Sequence, residues 1–473
     1  MADLKCSEKF HIAMFPWFAF GHMTPYLHLS NKLSERGHRI SFLLPKGAQP
    51  KLEQLNLHPD LIHFFPLDVP HVDGLLPGAE TASDVPLLSQ TYLATAFDKT
   101  RNQVETILTN LIQPDFVFFD FGFWVPALAR DLGIKSVYYG VVCAAVHAAG
   151  LSLSGKIKKN WTPVELMQTQ SDYPLPMVKL HEHEAGQALP LIQEMGSGLS
   201  LLERITTSVK ECDIIALRTC REIEGLFCDY ISQQLNKTIH LTGPVLPDDY
   251  TQRKQLEEPW EKWLSKFKPK SVVYCALGSQ SELNKEQFQE LILGFELTQL
   301  PFLVALKPPQ GYATIEEALP DGFKERVLDE GKGMVHGGWV PQLAILRHES
   351  VGCFVSHCGF GSMWESLLSD CQIVLVPELG DQILNARIMA EELKVAVEVE
   401  KDKKLDNNNN IDGGWFISKE SLCKAIKSVM DEESKIGFQL KINHAKWKEI
   451  VSSKNVERGY LDNFIQILQD MLN

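Results

Sequence analysis

The chain has 473 residues, with Lys plus Arg 46 against Asp plus Glu 60, giving a net charge of −14. Apolar residues make up 44% and charged residues 22%, which excludes wholesale disorder. The acidic balance makes nucleic acid and anionic membrane surfaces unfavourable partners. No apolar run approaches the roughly 18 residues of a membrane span. The N-terminus lacks a basic region leading into an apolar core, so it does not read as a signal peptide. The ten cysteines form no C-x-x-C pair and no zinc spacing. They read as free thiols in a reducing compartment, and the expected location is the cytoplasm. Asn160-Trp161-Thr162 and Asn236-Lys237-Thr238 match the glycosylation pattern, but that pattern needs a secretory route.

Short continuous apolar runs predict strands covered on both faces. In the first half these are Phe10–Phe15, Ile40–Leu44, Phe116–Phe119 and Ser136–Tyr139. Helical patterns at Pro25–Arg36 and Val125–Leu132 lie between some of them. The second half repeats the arrangement with Ser271–Leu277, Phe302–Leu306, Gly352–Val355 and Ile373–Val376. Alternating strands and helices imply parallel sheets, so the expected fold class is α/β with two doubly wound domains. Gly243, Pro244, Pro247 and Asp248-Asp249 break the pattern, placing a linker at 243–260 between domains 1–242 and 261–456. Asn407–Asn410, inside KDKKLDNNNNIDGG, reads as an exposed flexible loop. Tyr460, Leu461, Phe464, Ile465, Leu468, Met471 and Leu472 have helical spacing, so residues 457–473 form a docked amphipathic helix.

Three apparent motifs fail. Gly150 to Lys156 spells the start of a phosphate loop, but Ile157 stands where a metal-binding Ser or Thr is needed. His181-Glu182-His183-Glu184 lacks the i, i+4 histidines of a helical zinc site and reads as a solvated charge cluster. Gly359-Phe360-Gly361 begins a dinucleotide fingerprint, but Trp364 replaces its third glycine. Ile40–Leu44 ends in Pro45-Lys46 with no ribose-binding acid. A nicotinamide oxidoreductase is therefore disfavoured.

Two places carry chemistry. Gly21-His22-Met23-Thr24-Pro25 follows the first strand, and Asp120 follows Phe116–Phe119 directly. Ligands of open α/β sheets sit at the carboxyl ends of strands. A carboxylate there would fix the imidazole tautomer of His22 and stabilise it as it takes a proton. The alternative is a helix cap and an ordinary turn. The second place is Trp339 to Gln382. There a strand runs into Ser356-His357-Cys358-Gly359 and then a helix with apolar Phe360, Met363, Trp364, Leu367 and Leu368. Ser362 and Glu365 fall opposite that stripe. The N-terminus of such a helix favours an anion, Gly359 and Gly361 admit a close backbone approach, and His357 adds a donor. Glu365 is placed to accept hydrogen bonds from a ribose diol, while Phe360 reads as core.

The segment 339–382 resembles the plant secondary-product signature of family 1 uridine-diphosphate (UDP) sugar-dependent glycosyltransferases. The anchors are Trp339, Gln342, His357-Cys358-Gly359, Ser362, Glu365, Pro377 and Asp381-Gln382, and the likeness extends to Gly21-His22, Asp120 and Leu277-Gly278-Ser279. The resemblance implies the GT-B fold: two Rossmann-like domains facing a cleft, acceptor on the first, donor on the second, with the C-terminal helix returning to the first. It implies that Trp339 stacks on uracil and that Val340 and Gln342 address the base and ribose edge. Glu365 would bind the ribose, with His357, Ser362 and Ser279 on the diphosphate and Asp381 and Gln382 on the sugar. His22 would be the general base, Asp120 its partner, and no metal or other cofactor is expected. Phe360-Gly361 departs from the common Trp-Asn pair, and Leu379 stands where an aromatic is usual. With Phe15-Pro16-Trp17-Phe18-Ala19-Phe20-Gly21-His22, the Phe360-Gly361 variant looks like the branch that extends flavonoid or anthocyanin glycosides, with glucose, xylose or rhamnose as donor sugar. The expected function is an inverting, monomeric UDP-sugar glycosyltransferase acting on a sugar hydroxyl. The alternatives are transfer to an aglycone hydroxyl and a non-catalytic nucleotide-sugar or glycoside binding protein.

Overall fold

The computed structural model describes residues 9–472 apart from 155–160, 163–164, 166–172, 182–183, 185, 187–188, 248–255, 279–280, 282, 406–410 and 454. The chain divides into two compact units. The first is Met1–Pro176 with Ala185–Asp248 and Ser452–Asn473; the second is Met177–Glu184 with Asp249–Val451.

The first unit holds a parallel sheet of β1 (His11–Phe15), β2 (Arg39–Pro45), β3 (Ile62–Leu67), β4 (Phe116–Phe119), β5 (Lys135–Gly140), β6 (Ile214–Leu217) and β7 (Ile239–Leu241). Their spatial order is β3-β2-β1-β4-β5-β6-β7. The second unit holds β8 (Val272–Ala276), β9 (Phe302–Ala305), β10 (Gly333–His336), β11 (Val351–Ser356), β12 (Gln372–Leu375) and β13 (Ala396–Glu398), ordered β10-β9-β8-β11-β12-β13. Both sheets thus run outward from a central pair in opposite directions, the doubly wound arrangement. Their central strands are buried along their whole length, at every residue of β4, β8 and β11. That explains their unbroken apolar sequences.

The first helix, Phe20–Glu35, starts five residues before the predicted Pro25, and Pro25 lies inside it. The chain turns at Trp17, whose carbonyl accepts from Ala19 N–H at 2.7 Å, and Met23 N–H already bonds back to the Ala19 carbonyl at 2.9 Å. Pro25, the sixth residue of the helix, has no N–H to donate to the Gly21 carbonyl, so the helix forgoes one hydrogen bond in its second turn. His22 consequently sits in the first turn of a helix rather than in the loop before it.

In the C-terminal helix Tyr460–Asp470, Leu461, Phe464, Ile465 and Leu468 join the core of the first unit. Phe464 meets Phe118 of β4 edge-on at 6.1 Å. Met471 and Leu472, expected on the same stripe, are 39% and 40% exposed because they lie past the helix end. Asp402–Leu405 (β14) and Ile411–Phe416 (β15) pair as an antiparallel hairpin, so the ends of the supposed loop are ordered strands. Asn407–Asn410 lie outside the described residues. Gly150 is inside the helix Ala144–Leu153, which is not a phosphate loop. The nine cysteines among the described residues are free and buried.

The reading of His181–Glu184 as a solvated cluster is corrected at Glu184, which is fully buried and accepts from Arg387 Nη2 at 2.6 Å. Arg387 also pairs with Glu398. Two carboxylates around one guanidinium satisfy charges that burial would otherwise make costly. Glu184→Ala leaves the buried Arg387 with Glu398 as its remaining carboxylate partner. The expected loss is about 3 kcal/mol, the low end for breaking a buried pair because Glu398 remains. Urea unfolding checks it, and a midpoint equal to that of the unaltered protein would refute it.

Candidate active site

In a doubly wound sheet a crevice opens where the strand order reverses, at the carboxyl ends of the two central strands. In the first unit those strands are β1 and β4, paired with Phe15 opposite Phe119. The residues that follow are His22, on the first helical turn after β1, and Asp120, next after β4. The structure brings them together: His22 Nδ1 lies 2.6 Å from Asp120 Oδ2. Asp120 is buried, and its Oδ1 accepts from the N–H groups of Trp17 and Phe121 at 2.7 Å each. The carboxylate is therefore fixed by the backbone of both loops. It accepts a hydrogen bond from Nδ1–H and leaves Nε2 with its lone pair, the tautomer a general base requires. Phe121 stands edge-on to the imidazole at 5.0 Å and limits its rotation.

The aromatic run before His22 is almost wholly internal. Phe15, Trp17 and Phe18 are buried. Phe97 stacks on Phe15 at 4.7 Å and meets Trp17 edge-on at 5.3 Å. These rings hold the loop in one shape beneath the dyad.

In the second unit the order reverses between β8 and β11, with Ala276 opposite Ser356. The next residues are Leu277-Gly278 and His357-Cys358-Gly359. Gly278 has φ +77°, and a Cβ there would lie 2.6 Å from His357 Nε2; a Cβ on Gly359 would meet the same atom at 2.6 Å. Both glycines are thus required by the imidazole between them. Burial pushes the His357 pKa down to about 4, against the opposing pull of the Ala276 carbonyl. The ring is neutral at pH 7 and offers a hydrogen bond without a charge. Ser279 lies outside the described residues.

Gly359 caps the helix Phe360–Leu368. Phe360, Met363, Trp364, Leu367 and Leu368 are buried, and Gly361, Ser362 and Glu365 occupy the more open face. Gln342 joins this face from a neighbouring helix, Gln342–Leu346. Its Nε2 donates to Glu365 Oε2 at 2.6 Å and to Ser362 Oγ at 3.1 Å, while its Oε1 accepts from Tyr274 OH at 3.4 Å. Gln342 therefore orients Glu365. By accepting, the Ser362 hydroxyl keeps its own hydrogen for another acceptor. Tyr274, in the middle of β8, was not singled out in the sequence, since a strand tyrosine gives no local sign of its partner. Trp339 is 80% exposed, a bare aromatic face suited to stacking on a base. The Val340 side chain belongs to the core, so what it can offer a ligand is backbone.

Asp381 and Gln382 begin the helix Asp381–Arg387 after Gly380, whose φ is +55°. The Gln382 Oε1 accepts from the N–H groups of Glu378 and Leu379 at 3.0 and 3.1 Å. That tightens the turn and directs the amide hydrogens to other acceptors. Among the described residues no group of three or more His, Cys, Asp or Glu is placed to hold a metal, and no helix is long and apolar enough to cross a membrane.

Residues 251–435 match the family described as UDP-glucoronosyl and UDP-glucosyl transferase. The chain is 53% identical to UDP-glycosyltransferase 79B3 of Arabidopsis thaliana over 98% of both proteins. It is 52% identical to the anthocyanidin 3-O-glucoside 2'''-O-xylosyltransferase of the same plant, again over 98% of both. The fold resembles that of Os79 from O. sativa, solved in complex with UDP, with a TM-score of 0.76 at 19% identity over 98% of this chain and 100% of that one. The two doubly wound sheets are those of a GT-B enzyme, and the chain belongs to the UDP-glycosyltransferase family.

Proposed function

We propose that this enzyme transfers a sugar from UDP to a sugar hydroxyl of a small-molecule glycoside, most suitably a flavonoid or anthocyanin 3-O-glycoside, with inversion at the anomeric carbon. The observation that carries the chemistry is the 2.6 Å contact between His22 Nδ1 and Asp120. A sugar hydroxyl is a weak nucleophile at pH 7. Nε2 of His22 takes its proton as the oxygen attacks the anomeric carbon, and Asp120 stabilises the imidazolium that forms. Direct displacement turns an α-linked donor into a β-glycoside. The bond that breaks leaves its electrons on the diphosphate. Developing charge there is met by the N–H groups at Gly359–Ser362, by the neutral His357 and by the Ser362 hydroxyl. These donors need no metal. Trp339 and Glu365 hold the nucleoside, and Asp381 and Gln382 read the sugar. The acceptor class is supported by the Phe360-Gly361 variant and by the xylosyltransferase relative, whose name states a glycoside acceptor. We further propose a monomer working in the cytoplasm.

A donor-by-acceptor screen tests this, with UDP-glucose, UDP-xylose and UDP-rhamnose against flavonoid monoglycosides and their aglycones, read by mass spectrometry. Fragmentation that releases two sugars as one unit is expected; products with separately lost sugars would overturn the acceptor assignment. Within the donor site, Glu365→Ala is expected to weaken binding of UDP itself by about 1–3 kcal/mol, the worth of a hydrogen bond to a charged group. Gln382→Ala is expected to change the ratio of sugars used and leave UDP affinity nearly intact. Titration calorimetry showing the reverse would mean the two roles are exchanged.

A further inference from the structure

We infer that Asn385 is a positioning residue for the donor, a single amide that sets the geometry of both the diphosphate turn and the sugar-binding carboxylate. This rests on the donor-site reading given above. Asn385 is fully buried in the helix Asp381–Arg387. Its Nδ2 donates to the carbonyl of Cys358 at 2.8 Å and to Asp381 Oδ2 at 3.1 Å. An amide nitrogen has two hydrogens, and here two acceptors from two different parts of the site use them. The Asn385 Oδ1 is buried and has no partner among the described residues. An unpaired buried acceptor is unfavourable, and an apolar side chain of similar shape would avoid it. The position is explained by what the nitrogen does.

The contact to Cys358 has a consequence one atom further on. Cys358 has φ +68°, rare for a residue with a side chain. Its N–H is held by Ser356 Oγ at 3.1 Å and its carbonyl by Asn385. The peptide joining Cys358 to Gly359 is planar and trans, so its N–H points opposite to its carbonyl. Pinning the Cys358 carbonyl therefore fixes the direction of the Gly359 N–H, one of the donors proposed to meet the leaving diphosphate. The same nitrogen holds the carboxylate of Asp381, which reads the sugar. Misplacement of either would be felt at the reacting carbon, because errors of about 1 Å in a preorganised site cost up to about 10²-fold.

The test compares Asn385→Ala and Asn385→Asp with the unaltered enzyme. The aspartate keeps the shape but replaces the donor with an acceptor facing Asp381. Three quantities are read: thermal unfolding, UDP affinity by calorimetry, and kcat/KM with UDP-glucose and UDP-xylose. The expected result is a folded protein whose UDP affinity is weakened by no more than about tenfold, the worth of one hydrogen bond from the Gly359 N–H to the diphosphate. Its kcat/KM for the better donor should fall by about 10–100-fold and its preference between the two sugars should collapse. In an Asp381→Ala background, Asn385→Ala should change the sugar preference no further. Folded variants that keep the original sugar preference would overturn the inference. So would failure of both variants to fold, which would make Asn385 a brace of the second unit only. Absence of UDP-sugar turnover by the unaltered enzyme would instead count against the proposed function.

Discussion

His22→Ala lowers turnover by about 10²–10⁴, the usual worth of a positioned general base, while donor affinity stays close to normal. The geometry argues for this size. Asp120 is held by two backbone N–H groups and by the His22 ring, each at 2.6–2.7 Å, so neither partner needs to reorganise as the proton moves. Removing the ring takes away the proton acceptor but nothing that binds the nucleotide, since the UDP-binding residues proposed here all belong to the second unit. Asp120→Ala is expected to cost a similar or smaller factor. The imidazole survives in that variant, but the Trp17 and Phe121 N–H groups lose their acceptor, so some of the loss comes from a loosened loop. Steady-state kinetics with a saturating donor separates these effects. A near-normal rate for His22→Ala would remove the dyad from the mechanism.

The sequence shows these two residues because each follows a central strand, and central strands are the legible ones. β1, β2, β4, β5, β8, β9, β11 and β12 are all found from their continuous apolar runs. The missed β3, β7, β10 and β13 are the four edges of the two sheets. An edge strand has one open side and tolerates mixed polarity, as in Ile62–Leu67 with His63 and Pro66. β6 is an internal strand and was also missed, although its four residues Ile214–Leu217 are as apolar and as buried as those of β4. Illegibility at the site has a related cause. Asn385 donates to a residue 27 positions away, and Glu184 pairs with Arg387 203 positions away. Nothing near either residue in the chain announces its partner. Gln342, Ser362 and Glu365 were each marked by the signature, but that Gln342 orients Glu365 follows only from the hydrogen bonds. Gly278 and Gly359 lie 81 positions apart in sequence, yet a Cβ on either would strike the same imidazole nitrogen.

A flavonoid monoglycoside is expected to exceed its own aglycone by about 10⁴–10⁵ in kcat/KM, the second large effect. Apolar contact cannot produce that margin, because one methylene more or less discriminates by only about 10–200-fold. Hydrogen bonding can, since buried groups arranged for a sugar are left unpaired when an aglycone enters. The structure narrows where such selectivity arises. The rings of Phe15, Trp17 and Phe18 are buried against Phe97 and Phe121, so they shape the loop instead of offering faces for an aromatic aglycone to stack on. Matched assays with a flavonol 3-O-glucoside and the free flavonol, at one donor concentration, measure the ratio. Faster transfer to the free phenolic hydroxyl would end the glycoside assignment, and the His22–Asp120 base and the donor site would remain to be judged by their own variants.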